Sequence, residues 1–141
     1  MSQEDVEVVR RGFEAFQRGG PEAMLELFSD SVITYRPEPD GASLHGKAGF
    51  RDAVADWTGD FSEWQVLPQE FTDLGERVLV RVLQIAQGRN SGVRVEEDWW
   101  FLFELTGRKV SKLSFYSNLA EALEAVELAD NDAGRDVPGP L

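Results

Sequence analysis

The chain has 141 residues, a formal net charge of −12 and no cysteine. The length fits one domain that buries a core of its own, and the missing cysteines exclude disulfides, thiolate zinc sites and cysteine nucleophiles. Binding to nucleic acid or to an anionic membrane depends on clustered Lys and Arg, so we expect neither as a partner.

The N-terminal stretch MSQEDVEVVRR is acidic and amphipathic, unlike a basic leader followed by an apolar run. The longest unbroken apolar run, Trp99 to Phe103, is far shorter than a membrane span. These features predict a soluble, cytoplasmic protein.

Helical periodicity dominates the first part of the chain. An apolar stripe at Val6, Val9, Phe13 and Phe16 predicts a first helix, which Gly19 and Gly20 end. Pro21 suits the first position of a short second helix. The β-branched run that follows predicts a strand at residues 31–36. A third helix is predicted from a second apolar stripe, formed by Phe50, Ala53, Val54 and Trp57.

From Trp64 onward the apolar residues alternate with a period of two. Four such segments, separated by glycine-bearing turns, predict an antiparallel meander, and Pro68 marks an edge strand or a bulge in the first of them. Asn118 then caps a final helix, for which we expect an apolar side at Leu119, Leu123 and Val126. Residues 1–129 should form a single domain and residues 130–141 a disordered tail.

Helices followed by a run of strands predict an α+β fold, with helices covering one face of a curved, mostly antiparallel sheet. A sheet of long, bulged strands curls, and helices laid against its hollow side need not fill it. The remaining volume would be a ligand-sized pocket.

Five segments in a fixed order resemble the nuclear transport factor 2-like superfamily, with the SnoaL-like branch as the best match: ELFSDSV, LHGKAGFRDAV, DLGERVLVRV, EEDWWFLFEL and GRKVSKLSFYSNLAEALEAV. The resemblance covers about residues 3 to 129. It implies a cone-shaped α+β barrel with a pocket between sheet and helices, and a homodimer formed through the sheet. Members include ketosteroid isomerases, polyketide cyclases, other enzymes and proteins without catalytic activity, so the resemblance indicates the scaffold and leaves the chemistry open.

The residues that ketosteroid isomerases use are absent from the matching positions. The base aspartate of that family falls at Tyr35, its oxyanion-hole tyrosine at Gly12 and its neutral aspartic acid at Trp100. Isomerase chemistry of that type would therefore lack its proton carrier and its oxyanion donors.

Four residues are candidates for acid–base catalysis. His45 is the only histidine and has an unperturbed pKa near neutrality. Tyr35 can donate or accept a hydrogen bond. Strand alternation sends Glu97 and Asp98 to opposite faces, so one of them could lie in the hollow beside a tryptophan. The alternative is a solvated or dimer-face charge cluster.

The aromatic segment at residues 99–103 is the strongest positive signal. Trp99, Phe101 and Phe103 share one face of the strand and Trp100 and Leu102 the other, so both faces are apolar and both must be covered. We expect pocket wall on one side, and a partner subunit or an exposed patch on the other. The predicted ligand-binding residues are Trp57, Trp64, Gln84, Trp99, Trp100, Phe115 and Tyr116.

Two functional hypotheses follow. The first is a homodimeric protein with a pocket for an apolar or aromatic molecule of steroid or polyketide size, acting, if it is an enzyme, as a lyase, isomerase or hydrolase that needs no cofactor and no metal. The second is a noncatalytic ligand-binding or protein-assembly module with the same fold.

Overall fold

The computed structural model describes residues 2–37 and 40–135. The elements, in chain order, are α1 (Ser2–Met24), a 3₁₀ turn (Leu25–Leu27), β1 (Phe28–Arg36), β2 (Ala42–His45), α2 (Gly46–Thr58), β3 (Phe61–Asp73), β4 (Arg77–Gly88), β5 (Arg94–Thr106), β6 (Lys109–Tyr116) and α3 (Leu119–Arg135). The α+β fold with a final helix is thereby confirmed. None of the described helices combines the length and the apolarity that crossing a membrane requires.

The strands form one curved sheet in the order β2-β1-β6-β5-β4-β3. The β1–β6 pair is parallel and every other pair is antiparallel, as the predicted meander of β3 to β6 requires. β3 is an edge strand, and its register shifts between Pro68 and Glu70, so the proline marks both an edge and a bulge. Strand β2 was not predicted, because a segment this short carries no visible period. His45 is the last residue of this strand.

Gly20 bends α1. Its φ of 73° and ψ of −162° leave the helical region, and this combination is open almost only to glycine. Pro21 begins the next turn, because its fixed φ suits the first position of a helix and its missing N–H costs nothing there. The predicted break between two N-terminal helices is thus confirmed.

The main core lies on the inner face of the sheet, which we define as the face that carries Val78, Val80 and Val82 of β4. Helices α1 and α2 pack on this face, with Val9, Phe13 and Phe50 among the buried residues. Every second side chain of a strand points to the same face, and residues three or four apart share one side of a helix. The apolar residues at these spacings in the strands and in the two helices therefore meet in this core.

Helix α3 covers the part of the outer face around β5 and β6. Ala122 is fully buried there against Leu79, Leu102 and Tyr116, and Trp100 packs at the edge of this cluster. A helix of the same chain thus covers the second apolar face of β5, for which the sequence had predicted a partner subunit or an exposed patch.

The sequence was right that Val126 packs against the sheet but wrong about Leu119 and Leu123. Leu119 and Leu123 are 44% and 51% exposed, and the packing side is formed by Ala122, Ala125 and Val126. The short alanines let the helix approach the large rings of the outer face, which an apolar periodicity alone does not reveal. The predicted cap is present, since Asn118 Oδ1 accepts a hydrogen bond from the backbone N–H of Glu121 at 2.8 Å. The helix continues to Arg135, inside the predicted tail, and residues 136–141 lie outside the described range.

Gly20→Ala should lower the free energy of unfolding by about 1–3 kcal/mol, because alanine cannot adopt the backbone conformation of this kink without strain. A Cβ at this position would meet no atom within 4 Å, so strain is the only expected effect. Gly59→Ala is the control, because Gly59 has φ −57° and ψ −32° and should gain stability or stay unchanged. Equal urea midpoints for the two variants would contradict this account of the kink.

Candidate functional site

A cavity of about 50 Å³ lies between the inner face of the sheet and helices α1 and α2. A single water needs about 10–15 Å³ of such space, so the cavity exceeds one water molecule. It is also smaller than the predicted ligand, because a four-ring skeleton would require the walls to move. The lining residues are Phe13, Phe16, Met24, Arg36, Phe50, Ala53, Val54, Trp57, Trp64, Val66, Phe101, Leu113 and Phe115.

The helical part of the lining follows from the sequence pattern. Phe50, Ala53, Val54 and Trp57 are the predicted apolar stripe of α2, and all four face the cavity. Residues at these spacings lie on one side of a helix. The same stripe therefore packs into the core and forms one wall of the cavity.

Aromatic rings in edge-to-face contact form much of the remaining wall, beside Met24, Val66 and Leu113. Ring centroids lie 4.8 Å apart for Phe101 and Phe115, 5.5 Å for Phe16 and Trp64, and 4.6 Å for Trp57 and Trp99. Such pairs contribute about 0.5–1.5 kcal/mol each beyond the area they bury, so the rings hold one another in place.

Gln84 fixes two of the indoles from behind the cavity. Its side chain is buried on β4, and its Oε1 accepts a hydrogen bond from Trp64 Nε1 at 2.7 Å and another from Trp57 Nε1. One carbonyl oxygen has two lone pairs and can satisfy both donors. The sequence predicted Gln84 as a ligand contact. In the structure it links α2 to β3 and β4 and positions the two tryptophans.

Arg36 is the one ionisable residue among the described residues that line the cavity. Its side chain is only 16% exposed, and its terminal nitrogens lie 3.3 Å from Asp40 Oδ2 and 3.4 Å from Asp56 Oδ2. Its Nε is buried and has no hydrogen-bond partner among the described residues. The sequence reasoning missed Arg36, although alternation with Val32 and Thr34, which are buried on the same face of β1, would have indicated it.

A narrow cleft adjoins the cavity and shares Arg36, Trp57 and Phe115 with it. Its other lining residues are Pro37, Trp99, Ser117 and Glu121. Trp99 Nε1 is buried, and the described residues offer it no hydrogen-bond acceptor. Two unpaired N–H donors, on Arg36 and Trp99, therefore belong to residues that border the same cleft.

The predicted ligand-binding residues separate into three groups. Trp57, Trp64 and Phe115 line the cavity, and Trp99 lines the adjoining cleft. Gln84 supports two of them. Trp100 and Tyr116 are paired across β5 and β6 and pack under α3 on the outer face. The sequence placed them with the other rings because it could not show which face of each strand turns inward.

Burial beneath α3 also determines the direction in which the pKa of Tyr116 is shifted. Desolvation raises the pKa of its phenol above the usual value, and a hydrogen bond with Ser114 acts in the opposite direction. The nearby Tyr35, Glu104 and Glu121 raise it further. Tyr116 is therefore an uncharged core residue of the outer face at neutral pH.

The four predicted catalytic residues do not meet in the cavity. His45 is exposed at the start of α2. Tyr35 lies on the outer face with Lys112 above its ring, and Asp98 lies there too, 3.5 Å from Arg81. Glu97 is opposite Gln84 in the register, which puts it on the inner face, but it is exposed and is not part of the lining.

Comparison with known proteins identifies the family. The SnoaL-like domain family matches residues 9–113, which is most of the chain, and the protein belongs to this family. This match confirms the resemblance seen in the sequence. No curated protein sequence matches the chain.

Three solved structures have a similar fold, each with a TM-score of 0.73. An NTF2-like protein of unknown function from Burkholderia pseudomallei is 20% identical, over 88% of this chain and 97% of that one. TerC, co-crystallised with polyporic acid, is 19% identical over 88% and 98%. A putative SnoaL-like polyketide cyclase from Jannaschia is 18% identical over 89% and 92%. At these identities the likeness shows the fold alone.

Gln84→Leu should lower the free energy of unfolding by about 1–3 kcal/mol, because two indole N–H groups lose their acceptor inside the protein. Gln65→Leu, on the exposed side of the edge strand β3, is the control and should change stability by no more than about 0.5 kcal/mol. Chemical denaturation followed by tryptophan fluorescence measures both. If the two variants lose the same small amount, Gln84 does not position the tryptophans.

Proposed function

We propose that this SnoaL-like protein binds a small apolar or aromatic molecule in the cavity. The observation that carries the proposal is an apolar, ring-walled space larger than one water molecule in an otherwise packed core. Protein interiors are close-packed, and voids of this size are few in a domain. An apolar cavity gives water too few hydrogen-bond partners, whereas an apolar ligand gains free energy by leaving water and contacting the rings.

Binding is better supported than acid–base catalysis. A general base must reach the reacting atom, directly or through one water. The four residues predicted for that role lie on the outer face or on exposed positions of the described chain, and the lining contributes only Arg36. A guanidinium keeps its proton at neutral pH, so it can orient or polarise a ligand but cannot act as a base there.

Two of the structural neighbours support a small-molecule role. TerC was crystallised with polyporic acid, and the Jannaschia protein is described as a putative SnoaL-like polyketide cyclase. Both descriptions connect this fold with a small organic molecule. The cavity of about 50 Å³ is smaller than the roughly 150 Å³ of an apolar cavity that binds benzene, so it favours a small ligand, or the end of a larger one, and even a single ring would move the walls apart.

The homodimer and the cytoplasmic location stay predictions. Helix α3 covers Trp100 and Tyr116, so a dimer formed through the outer face would use the part of the sheet around Leu83 and Ile85, which are half-buried in the isolated chain. Light scattering should give twice the mass of one chain, and a monomer mass at high protein concentration would reject the dimer.

Ala53→Leu should abolish binding of isopropylbenzene, because the larger side chain fills the cavity from α2. Wild-type protein should show a saturable change in tryptophan fluorescence and a higher melting temperature with this probe, since a ligand that binds only the folded state stabilises it. Ala55→Leu is the matched control, because Ala55 is an exposed residue of the same helix, and it should bind as the wild type does.

The melting temperature of the Ala53→Leu protein without the probe reports whether the fold is intact, and filling an apolar cavity should keep it at or above the wild-type value. Equal affinity of the Ala53→Leu and Ala55→Leu proteins for isopropylbenzene would place the binding elsewhere and reject the proposal.

A further inference from the structure

The guanidinium of Arg36 is satisfied on one side only. The two terminal nitrogens approach Asp40 and Asp56 at the protein surface, where both carboxylates are more than half exposed. The Nε–H lies in the buried part of the side chain and has no partner among the described residues. A buried donor without an acceptor carries the cost of its lost hydration, so an acceptor brought by a ligand removes that cost.

The charges around Arg36 disfavour an anionic ligand. One cation faces the carboxylates of Asp40 and Asp56, and Glu121 lines the adjoining cleft, so the carboxylates outnumber the guanidinium. The whole chain has a formal charge of −12, and this net charge also repels an anionic ligand. The Arg36 end of the cavity therefore has an N–H group without a partner among the described residues, and no excess of positive charge.

Trp99 adds a second donor of the same kind. Its indole N–H is buried without a partner among the described residues, in the cleft that shares Arg36 with the cavity. An indole nitrogen is a donor only, and it carries no charge. The Nε–H of Arg36 and the indole N–H of Trp99 therefore both lack an acceptor among the described residues.

We propose that Arg36 is the specificity-determining residue of the cavity, and that its Nε–H donates a hydrogen bond to a neutral acceptor oxygen, such as an aryl carbonyl, on the bound molecule. This inference rests on the proposed binding function. It adds that the ligand combines an aromatic ring with an uncharged oxygen, and that hydrocarbons and carboxylates of the same size bind less tightly.

Three probes of matched size test the inference by calorimetry: acetophenone with a neutral carbonyl, isopropylbenzene without oxygen, and benzoate with a negative charge. The wild type should bind acetophenone about 10- to 100-fold more tightly than isopropylbenzene, which is the range for a hydrogen bond to a charged group. Benzoate should bind more weakly than acetophenone. Tightest binding of benzoate would overturn the inference and show an anion site.

Arg36→Met keeps a long apolar stem and removes the donors. It should reduce acetophenone affinity to that of isopropylbenzene, while isopropylbenzene still binds within about twofold of its wild-type affinity, which shows that the cavity is intact. Arg81→Met is the control, because Arg81 pairs with Asp98 on the outer face, and it should keep the carbonyl preference. A preference that survives Arg36→Met overturns the inference.

The outcomes separate the two proposals. Binding of isopropylbenzene with no preference for acetophenone in the wild type would reject the role of Arg36 and leave the cavity as a binding site. Failure of all three probes to bind the wild type would reject both proposals.

Discussion

The fold depends on the two apolar faces of β5. Trp99, Phe101 and Phe103 project from one side of this strand and Trp100 and Leu102 from the other, because successive side chains of a strand alternate. Neither side can be left in water without a large exposed apolar patch. Helices α1 and α2 cover the inner side and α3 covers the outer side, so one strand organises both layers of the domain.

The two sides are packed in different ways. On the outer side, Ala122 and its small neighbour Ala125 let α3 lie close to the rings. On the inner side, rings on five elements meet edge to face in three pairs, and Gln84 holds two indoles at a fixed separation through one oxygen atom. Large, rigid rings held apart in this way cannot collapse into the gap between sheet and helices. The cavity is the result, and it lies where Arg36 enters from β1.

Much of the fold could be predicted from the sequence, because it depends on local periodicity. The stripe of α2, the break at Gly20 and the edge position of Pro68 all follow from rules about single elements. The site was harder to predict, since it depends on which face of each strand turns inward. Tyr35 and Arg36 are neighbours in the chain, yet Tyr35 lies outside and Arg36 lines the cavity. A register shifted by one residue would exchange them, and residue type alone favoured the tyrosine as a site residue.

We infer that the space between sheet and helices admits an aromatic molecule. A crystal structure of the protein soaked with bromobenzene tests it most directly, because anomalous scattering from bromine locates the ring without ambiguity. We expect one strong bromine peak enclosed by Phe16, Trp57, Trp64 and Phe115. A cavity without bromine, with peaks only at the protein surface, would contradict it.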